Sequence, residues 1–310
     1  SLLRYFKNHL PFFLIEFGEL FFNILTFFKL NKLIKKEKPD FIYYRYALFE
    51  FSPILLSRKY KIPLILEVNA PMVHKRKSKH KFILYRPAKK IESFIYKNAD
   101  AIIVVSNFLK KILIRDGVPK NKITVIHNAV NLYDRKIKSE KLKSKKVCVG
   151  YVGSVNEDYG LFNFIKLIKS NFKNDSKVNF FIVGDGDLRT KLESYVNEHK
   201  LSNLVSIIGE VDHDEALQYI KICDICLLID SKEYGSPMKL FEYMNLGKAI
   251  LAADLPFVKE IITHKKNSYL FKTGDYQQLL KYLLLLIKDE NLRKKLGENA
   301  QETITKKVFI

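Results

Sequence analysis

Two charges three residues apart, Lys239 and Glu242, stand in the stretch Ser236-Pro237-Met238-Lys239-Leu240-Phe241-Glu242-Tyr243-Met244-Asn245-Leu246-Gly247. At that spacing they share one face of a helix. Ser236 suits an N-cap, and Pro237 suits the first helical position, where no N–H is needed. Gly247 suits the left-handed position just past the last turn. Lys239 then falls in the first turn, at the end of the helix that carries about half a positive charge. A lysine there opposes the macrodipole unless an anion joins it. Free amides and the ammonium would together hold a phosphate, and Glu242 would accept hydrogen bonds from a sugar hydroxyl beside it. On spacing alone, a surface helix with a solvated Lys/Glu pair accounts for the stretch equally well.

Other reactive residue types carry less. Cys223-Asp-Ile-Cys226 has CxxC spacing but lies in an apolar, strand-like run with no second Cys/His pair nearby. Asp185 and Asp187 form a D-x-D pair, and Asp187 also suits a helix N-cap, which is the better account. The seven histidines are scattered and form no ligand pair. Three cysteines are too few for a disulfide scaffold and point to a reducing compartment.

The elements that must position Lys239 and Glu242 alternate regularly. Strands are expected at residues 41–45, 63–68, 99–106 and 123–126, with helices between them. A basic stretch without apolar period, Arg135 to Lys146, reads as a linker. Strands then recur at residues 147–152, 178–183, 205–209, 225–229 and 249–253, again with helices between. Strand–helix alternation in two halves predicts an α/β protein of two doubly wound domains. The expected boundaries are 1–134, a linker at 135–146, and 147–310, and a chain of 310 residues that is 47% hydrophobic suits two such cores.

The formal charge of +21 favours an anionic partner. Lys75, Arg76, Lys77, Lys79, Lys81, Arg86, Lys89 and Lys90 lie between Met72 and Lys90 with no acid among them. They form either a solvated surface or one that faces anionic lipid headgroups or an anionic acceptor. Nucleic acid is not expected, since no recognition fold or aromatic interleaving accompanies them. Leu10 to Leu30 is dense in Phe, Leu and Ile, but Glu16 and Glu19 argue against a membrane span. A buried helix is the first expectation there, and an interfacial helix the second.

The Ser236–Gly247 stretch resembles the nucleotide-sugar motif of family 4 glycosyltransferases, which have the GT-B fold. Three further runs resemble the same family: Ala99-Asp100-Ala101-Ile102-Ile103-Val104-Val105-Ser106, then Gly117-Val118-Pro119, then residues 122–131 (KITVIHNAVN). So does Tyr60 to Met72, YKIPLILEVNAPM. The resemblance implies two Rossmann-like domains facing a cleft, with the acceptor on the first and a nucleoside-diphosphate sugar on the second. It implies Lys239 on the diphosphate, with Ser236, Pro237 and the amides around Met238 and Leu240 beside it, and Glu242 on the ribose. Gly153, Ser154 and the turn at Gly184 line the same site, and backbone near Glu210-Val211 meets the nucleobase. Glu233 stands one place from where the family has a donor-sugar carboxylate, which is Tyr234 here. Tyr159 takes the place of a basic residue. Asn69 stands where many members have a cleft histidine, and is assigned with Lys239 to the catalytic set.

The expected activity is transfer of a sugar, with retention of configuration and without metal or cofactor, to a lipid-linked or polysaccharide acceptor. The expected partners are a nucleotide sugar, that acceptor and an anionic membrane surface, and the expected location is cytoplasmic and peripheral to the inner face of the membrane. The resemblance also implies a first strand and glycine-rich loop ahead of Ser1 and a further helix after Ile310. Two alternatives stand beside this reading: a non-transferase GT-B enzyme such as a sugar-nucleotide epimerase, and a binding or scaffold protein that kept the fold without activity.

Overall fold

A computed structural model describes residues 12–77, 82–130, 146–157, 160–173, 175–230 and 236–307. The chain divides into two units, Ser1–His127 and Asn128–Ile310. Residues 135–145 of the expected linker lie outside the described residues.

In the first unit, β1 (Ile42–Arg45), β2 (Leu64–Val68), β3 (Ala101–Val104) and β4 (Ile123–Val125) form a parallel sheet in chain order. Leu64, Leu66 and Val68 of β2 alternate inward with period two, and with Ile102, Val104 and Ile123 they build the core. Helices α2 (Ser52–Tyr60), α4 (Tyr85–Asn98) and α5 (Asn107–Arg115) contribute Ile54, Ile95, Leu109 and Leu113 to it. A short α3 (Met72–Lys77) precedes α4. Ser106 caps α5 by accepting from the Leu109 amide at 3.1 Å.

The first helix, α1 (Phe12–Glu37), is turned the other way from the buried helix that its composition suggests. Phe21, Phe22, Ile24, Leu25, Phe28 and Leu33 are each more than half exposed, while Glu16 and Asn23 are buried. The reason is that the polar side chains share a face and each finds a partner. Glu16 accepts from the Leu84 amide at 2.7 Å, and Glu19 holds Arg76 in a two-pronged ion pair. Asn23 donates to the Phe49 carbonyl at 2.7 Å and accepts from the Phe51 amide at 2.9 Å. Asn31 accepts from the Tyr60 hydroxyl at 2.7 Å. Part of the basic stretch is therefore tied down rather than solvated: Arg76 pairs with Glu19 and lies over the Phe82 ring, and Lys77 lies over Tyr85. Among the described residues no helix is long and apolar enough to cross a membrane.

The second unit holds a six-stranded parallel sheet: β5 (Val147–Val152), β6 (Val178–Val183), β7 (Val205–Gly209), β8 (Ile225–Leu228), β9 (Ala249–Ala253) and β10 (Tyr269–Phe271). Its spatial order is β10-β9-β8-β5-β6-β7, so the chain winds outward from β5 in one direction and from β8 in the other. That is the order 3-2-1-4-5-6 of a doubly wound dinucleotide-type sheet. β8 and β9 are wholly buried apolar runs, as central parallel strands covered on both faces must be. The covering helices are α6 (Leu161–Phe172), α7 (Arg189–Glu198), α8 (His213–Ile222), α9 (Met238–Asn245), α10 (Tyr276–Lys288) and α11 (Glu290–Lys307). Asp212 caps α8 through the Glu215 amide at 2.8 Å. The expected Asp187 cap is not formed. Helix α7 starts at Arg189 with Leu188 in the cap position, one residue too far for the Asp187 carboxylate.

Candidate functional site

The two winding directions part between β5 and β8, and in an open α/β sheet the crevice at that point, outside the carboxyl ends of the strands, is where ligands sit. β5 ends into Gly153 there, and the chain leaving β8 enters α9 there. Tyr151 precedes Gly153 by two residues, so both point to one side of the strand. Lys239, in the first turn of α9, reaches the same spot. Its ammonium donates to the Tyr151 hydroxyl at 2.8 Å and lies 4.0 Å from the ring centre. The Tyr151 hydroxyl donates in turn to the Ser154 carbonyl at 2.7 Å. A Cβ on Gly153 would lie 2.8 Å from the Lys239 Nζ, at a φ of +139°. Glycine is what lets the ammonium lie against the backbone.

Helix α9 begins differently from the expected pattern. Pro237, with φ −70° and ψ 115°, occupies the cap position itself and offers no capping side chain. Ser236 is one residue too early, because the proline ring disfavours helical backbone in the residue before it. The Ser236 carbonyl instead accepts from the Asn128 side-chain amide at 2.9 Å. The Leu240 amide is taken up by the Pro237 carbonyl at 3.0 Å, so the amides heading the helix are those of Met238 and Lys239 rather than Leu240. The far end matches expectation. Gly247 adopts φ +62°, and the amides of Gly247 and Lys248 return to the carbonyls of Met244 and Tyr243. Leu240, Phe241, Tyr243 and Met244 are buried and fix the helix, while Met238 is exposed. The Tyr243 hydroxyl clamps the end of β5, accepting from the Val152 amide at 3.0 Å.

Burial pushes the Lys239 ammonium down to about 7, against the pull of Glu242 in the other direction. Burial also raises the Glu242 carboxyl, opposed by His213 and Lys239. The His213 Nδ1 stands 3.9 Å from a Glu242 oxygen. Both charged groups are thus poorly solvated where they stand. An incoming anion would restore the lysine charge, and hydroxyl donors would satisfy the carboxylate.

Gly184, after β6, adopts φ +129°, and a Cβ there would strike the Gly153 carbonyl oxygen at 2.0 Å. The two glycines therefore let adjacent strand ends touch. Val211 lies just past β7, half-buried against the core of this unit. Glu233, Tyr234 and Tyr159 lie outside the described residues. Asn69 belongs to the first unit, just past β2. Its side-chain amide donates to Glu67, which also accepts from the Tyr43 hydroxyl at 2.7 Å and lies 3.6 Å from the Arg45 Nε. The Asn69 Oδ1 is buried with no partner among the described residues. Asp185 lies 3.8 Å from Arg189, and among the described residues no group of three or more His, Cys, Asp or Glu is placed to hold a metal.

Sequence reasoning missed Tyr151, His213 and Tyr243. Only Tyr151 left a usable signal, an aromatic two places before a strand-end glycine. His213 and Tyr243 meet Glu242 and Val152 through the packing of α8 and α9.

A doubly wound parallel sheet with a lysine in the first turn of a helix at its switch point defines an α/β protein suited to an anionic ligand at that crevice. The chain belongs to the glycosyl transferases group 1 family, which matches residues 133–303, and residues 5–133 match Glycosyltransferase Family 4. It is 27% identical over 299 residues to an uncharacterized glycosyltransferase of Methanocaldococcus jannaschii, covering 94% of this chain and 74% of that one. It is 25% identical over 279 residues to the Campylobacter jejuni GalNAc-alpha-(1->4)-GalNAc-alpha-(1->3)-diNAcBac-PP-undecaprenol alpha-1,4-N-acetyl-D-galactosaminyltransferase, covering 89% of this chain and 73% of that one. The crystal structure of Anabaena HepE in complex with UDP superposes with a TM-score of 0.75 at 18% identity, over 89% of this chain and 77% of that one. The protein is a glycosyltransferase, and its fold is GT-B.

Proposed function

We propose that this glycosyltransferase takes its sugar from a nucleoside diphosphate held in the second unit, and delivers it with retention to a lipid-linked or polysaccharide acceptor. The observation that carries the donor reading is Lys239 lying against Gly153 at the switch point, in the first turn of α9. The leaving group is a diphosphate. Catalysis then needs fixed positive charge where negative charge develops, and Lys239 with the first amides of α9 supplies it. Glu242 accepts from ribose hydroxyls, and Gly153, Ser154 and Gly184 form the floor. Ser236, Pro237 and Met238 set the helix start, and Val211 lies at the base end. The reaction is proposed to need no metal, since the lysine takes the place of a counter-cation. With no protein base assigned, the leaving phosphate itself receives the acceptor's proton.

The UDP complex of HepE supports a uridine or related nucleotide, and the undecaprenol-linked substrate named for the C. jejuni relative supports a lipid-linked acceptor. We place the acceptor on the first unit near Asn69, whose buried, unpartnered oxygen is suited to a hydroxyl donor. A peripheral position on an anionic membrane surface is part of this proposal, supported by the charge of +21 and the outward apolar face of α1.

Sugar release from radiolabelled nucleotide sugars, with and without lipid extract and with and without chelator, tests the reading. Transfer to lipid that survives chelation and is abolished by Lys239→Ala supports it. Binding of no nucleotide by the full chain sinks it. Sedimentation with vesicles of anionic and of neutral lipid tests the membrane part separately.

A further inference from the structure

The carboxyl ends of β5, β6 and β7 carry glycines with left-handed backbone: Gly153 at φ +139°, Gly184 at φ +129° and Gly209 at φ +87°. They are joined to one another. The Gly153 amide donates to Val183 at 2.9 Å, and the Gly184 amide donates to the Gly209 carbonyl at 2.7 Å. Three adjacent strand ends thus form a floor without side chains, two strand spacings or roughly 10 Å wide. Lys239 closes one end, over Gly153. Arg189 closes the other: a Cβ on Gly209 would meet its Nη1 at 2.7 Å, Cζ at 2.8 Å and Nη2 at 2.9 Å.

Arg189 is held in place. Its Nε donates to Glu193 at 2.7 Å, and its Nη1 stands 3.8 Å from Asp185. Asp185 also accepts from the Gly186 amide at 2.9 Å. The fork is therefore oriented by its own helix turn and lies flat against the Gly209 backbone. A guanidinium has donors only.

We infer that Arg189 reads the nucleobase of the donor and selects keto bases over amino bases. The inference rests on the diphosphate lying at Lys239, as proposed above. With the phosphates at that end, the ribose runs along the glycine floor and the base arrives beside Arg189. There a guanidinium matches carbonyl acceptors, O4 of uracil or O6 and N7 of guanine. It opposes the amino groups at the same positions of cytosine and adenine, which are donors facing donors. Selectivity then comes from an unpaired polar edge as much as from attraction.

Calorimetric titration of the full chain with UDP, CDP, GDP, ADP and inorganic pyrophosphate tests this. The wild type should bind UDP more tightly than CDP, and GDP more tightly than ADP, by roughly tenfold to a hundredfold within each pair. Arg189→Ala should bring each pair to near equality and leave pyrophosphate unchanged, and Arg189→Lys should restore only part of the preference. Preserved ratios in Arg189→Ala overturn the inference. So does an equal loss for all five ligands, which marks a purely structural arginine. A wild type that binds nucleotides without keto preference overturns this inference alone, whereas a wild type that binds none overturns the donor reading and this inference with it.

Discussion

The Lys239 ammonium rests against the Tyr151 ring, 4.0 Å from its centre and 2.8 Å from its hydroxyl. The first strand of the unit and the helix that follows its fourth strand meet in that contact. The ring's negative face and a neutral hydroxyl hold the cation without cancelling its charge. An arriving phosphate would restore the charge that burial suppresses.

Removing the cation should affect ligands according to their charge. Lys239→Ala should weaken a nucleoside diphosphate by about 1.5–3 kcal/mol, the worth of a charge-assisted hydrogen bond, and leave the free nucleoside nearly unchanged. Glu242→Ala should weaken both. Titration calorimetry of UDP and uridine against the two variants checks the contrast, and equal losses for both ligands in Lys239→Ala would contradict it.

The depressed lysine makes binding depend on pH. Its folded value of about 7 lies below the ordinary lysine value of about 10.4. Between those limits the unfolded chain carries the extra proton, so this group's contribution to stability rises with pH through that window. A bound diphosphate reverses the local preference and recharges the amine. Binding at about pH 8 should therefore take up a proton, and affinity should fall as pH rises above about 7. Calorimetry in buffers of different ionisation enthalpy measures the uptake, which should vanish in Lys239→Met.

The two site glycines should fail in different ways. In Gly153→Ala the new methyl meets the flexible end of Lys239, which can move, so beyond the roughly 1–3 kcal/mol cost of the positive φ the main loss should be in diphosphate affinity, by about tenfold. In Gly184→Ala it meets the Gly153 carbonyl at 2.0 Å, which is backbone and cannot swing away. That variant should lose about 3 kcal/mol or more of stability. Thermal melts beside binding curves separate the two cases.

The inverted α1 makes a prediction at two neighbouring positions. Asn23→Ala leaves the Phe51 amide and the Phe49 carbonyl without their partner, at a cost of about 1–3 kcal/mol. Phe21→Ser, on the outward face, should change stability by no more than about 0.5 kcal/mol. Denaturant midpoints of the two variants test it, and the opposite ranking would mean that α1 packs by its aromatic face.

Much of the architecture was legible in order. The buried runs at 225–228 and 249–253 and the stop at Gly247 are local: each depends on neighbours in sequence and on backbone geometry that few residue types adopt. The Ser236 and Asp187 caps were misread because a cap depends on the register of the first turn, and one residue moves a side chain out of reach. The face that α1 buries was also misread, since its composition shows apolar excess while its orientation follows hydrogen bonds to residues as distant as Leu84.

The sequence alone determined that Lys239 sits in a first helical turn with Glu242 on the same face, because helical spacing is a local property of the chain. Only the tertiary structure decided what surrounds them. Sheet order places β5 beside β8 although the two are far apart in sequence, and that neighbourhood brings Tyr151 and Gly153 under the ammonium. The partial burial that pulls the lysine down to about 7 is a property of that neighbourhood, because desolvation depends on every element packed around the group and on none of them alone.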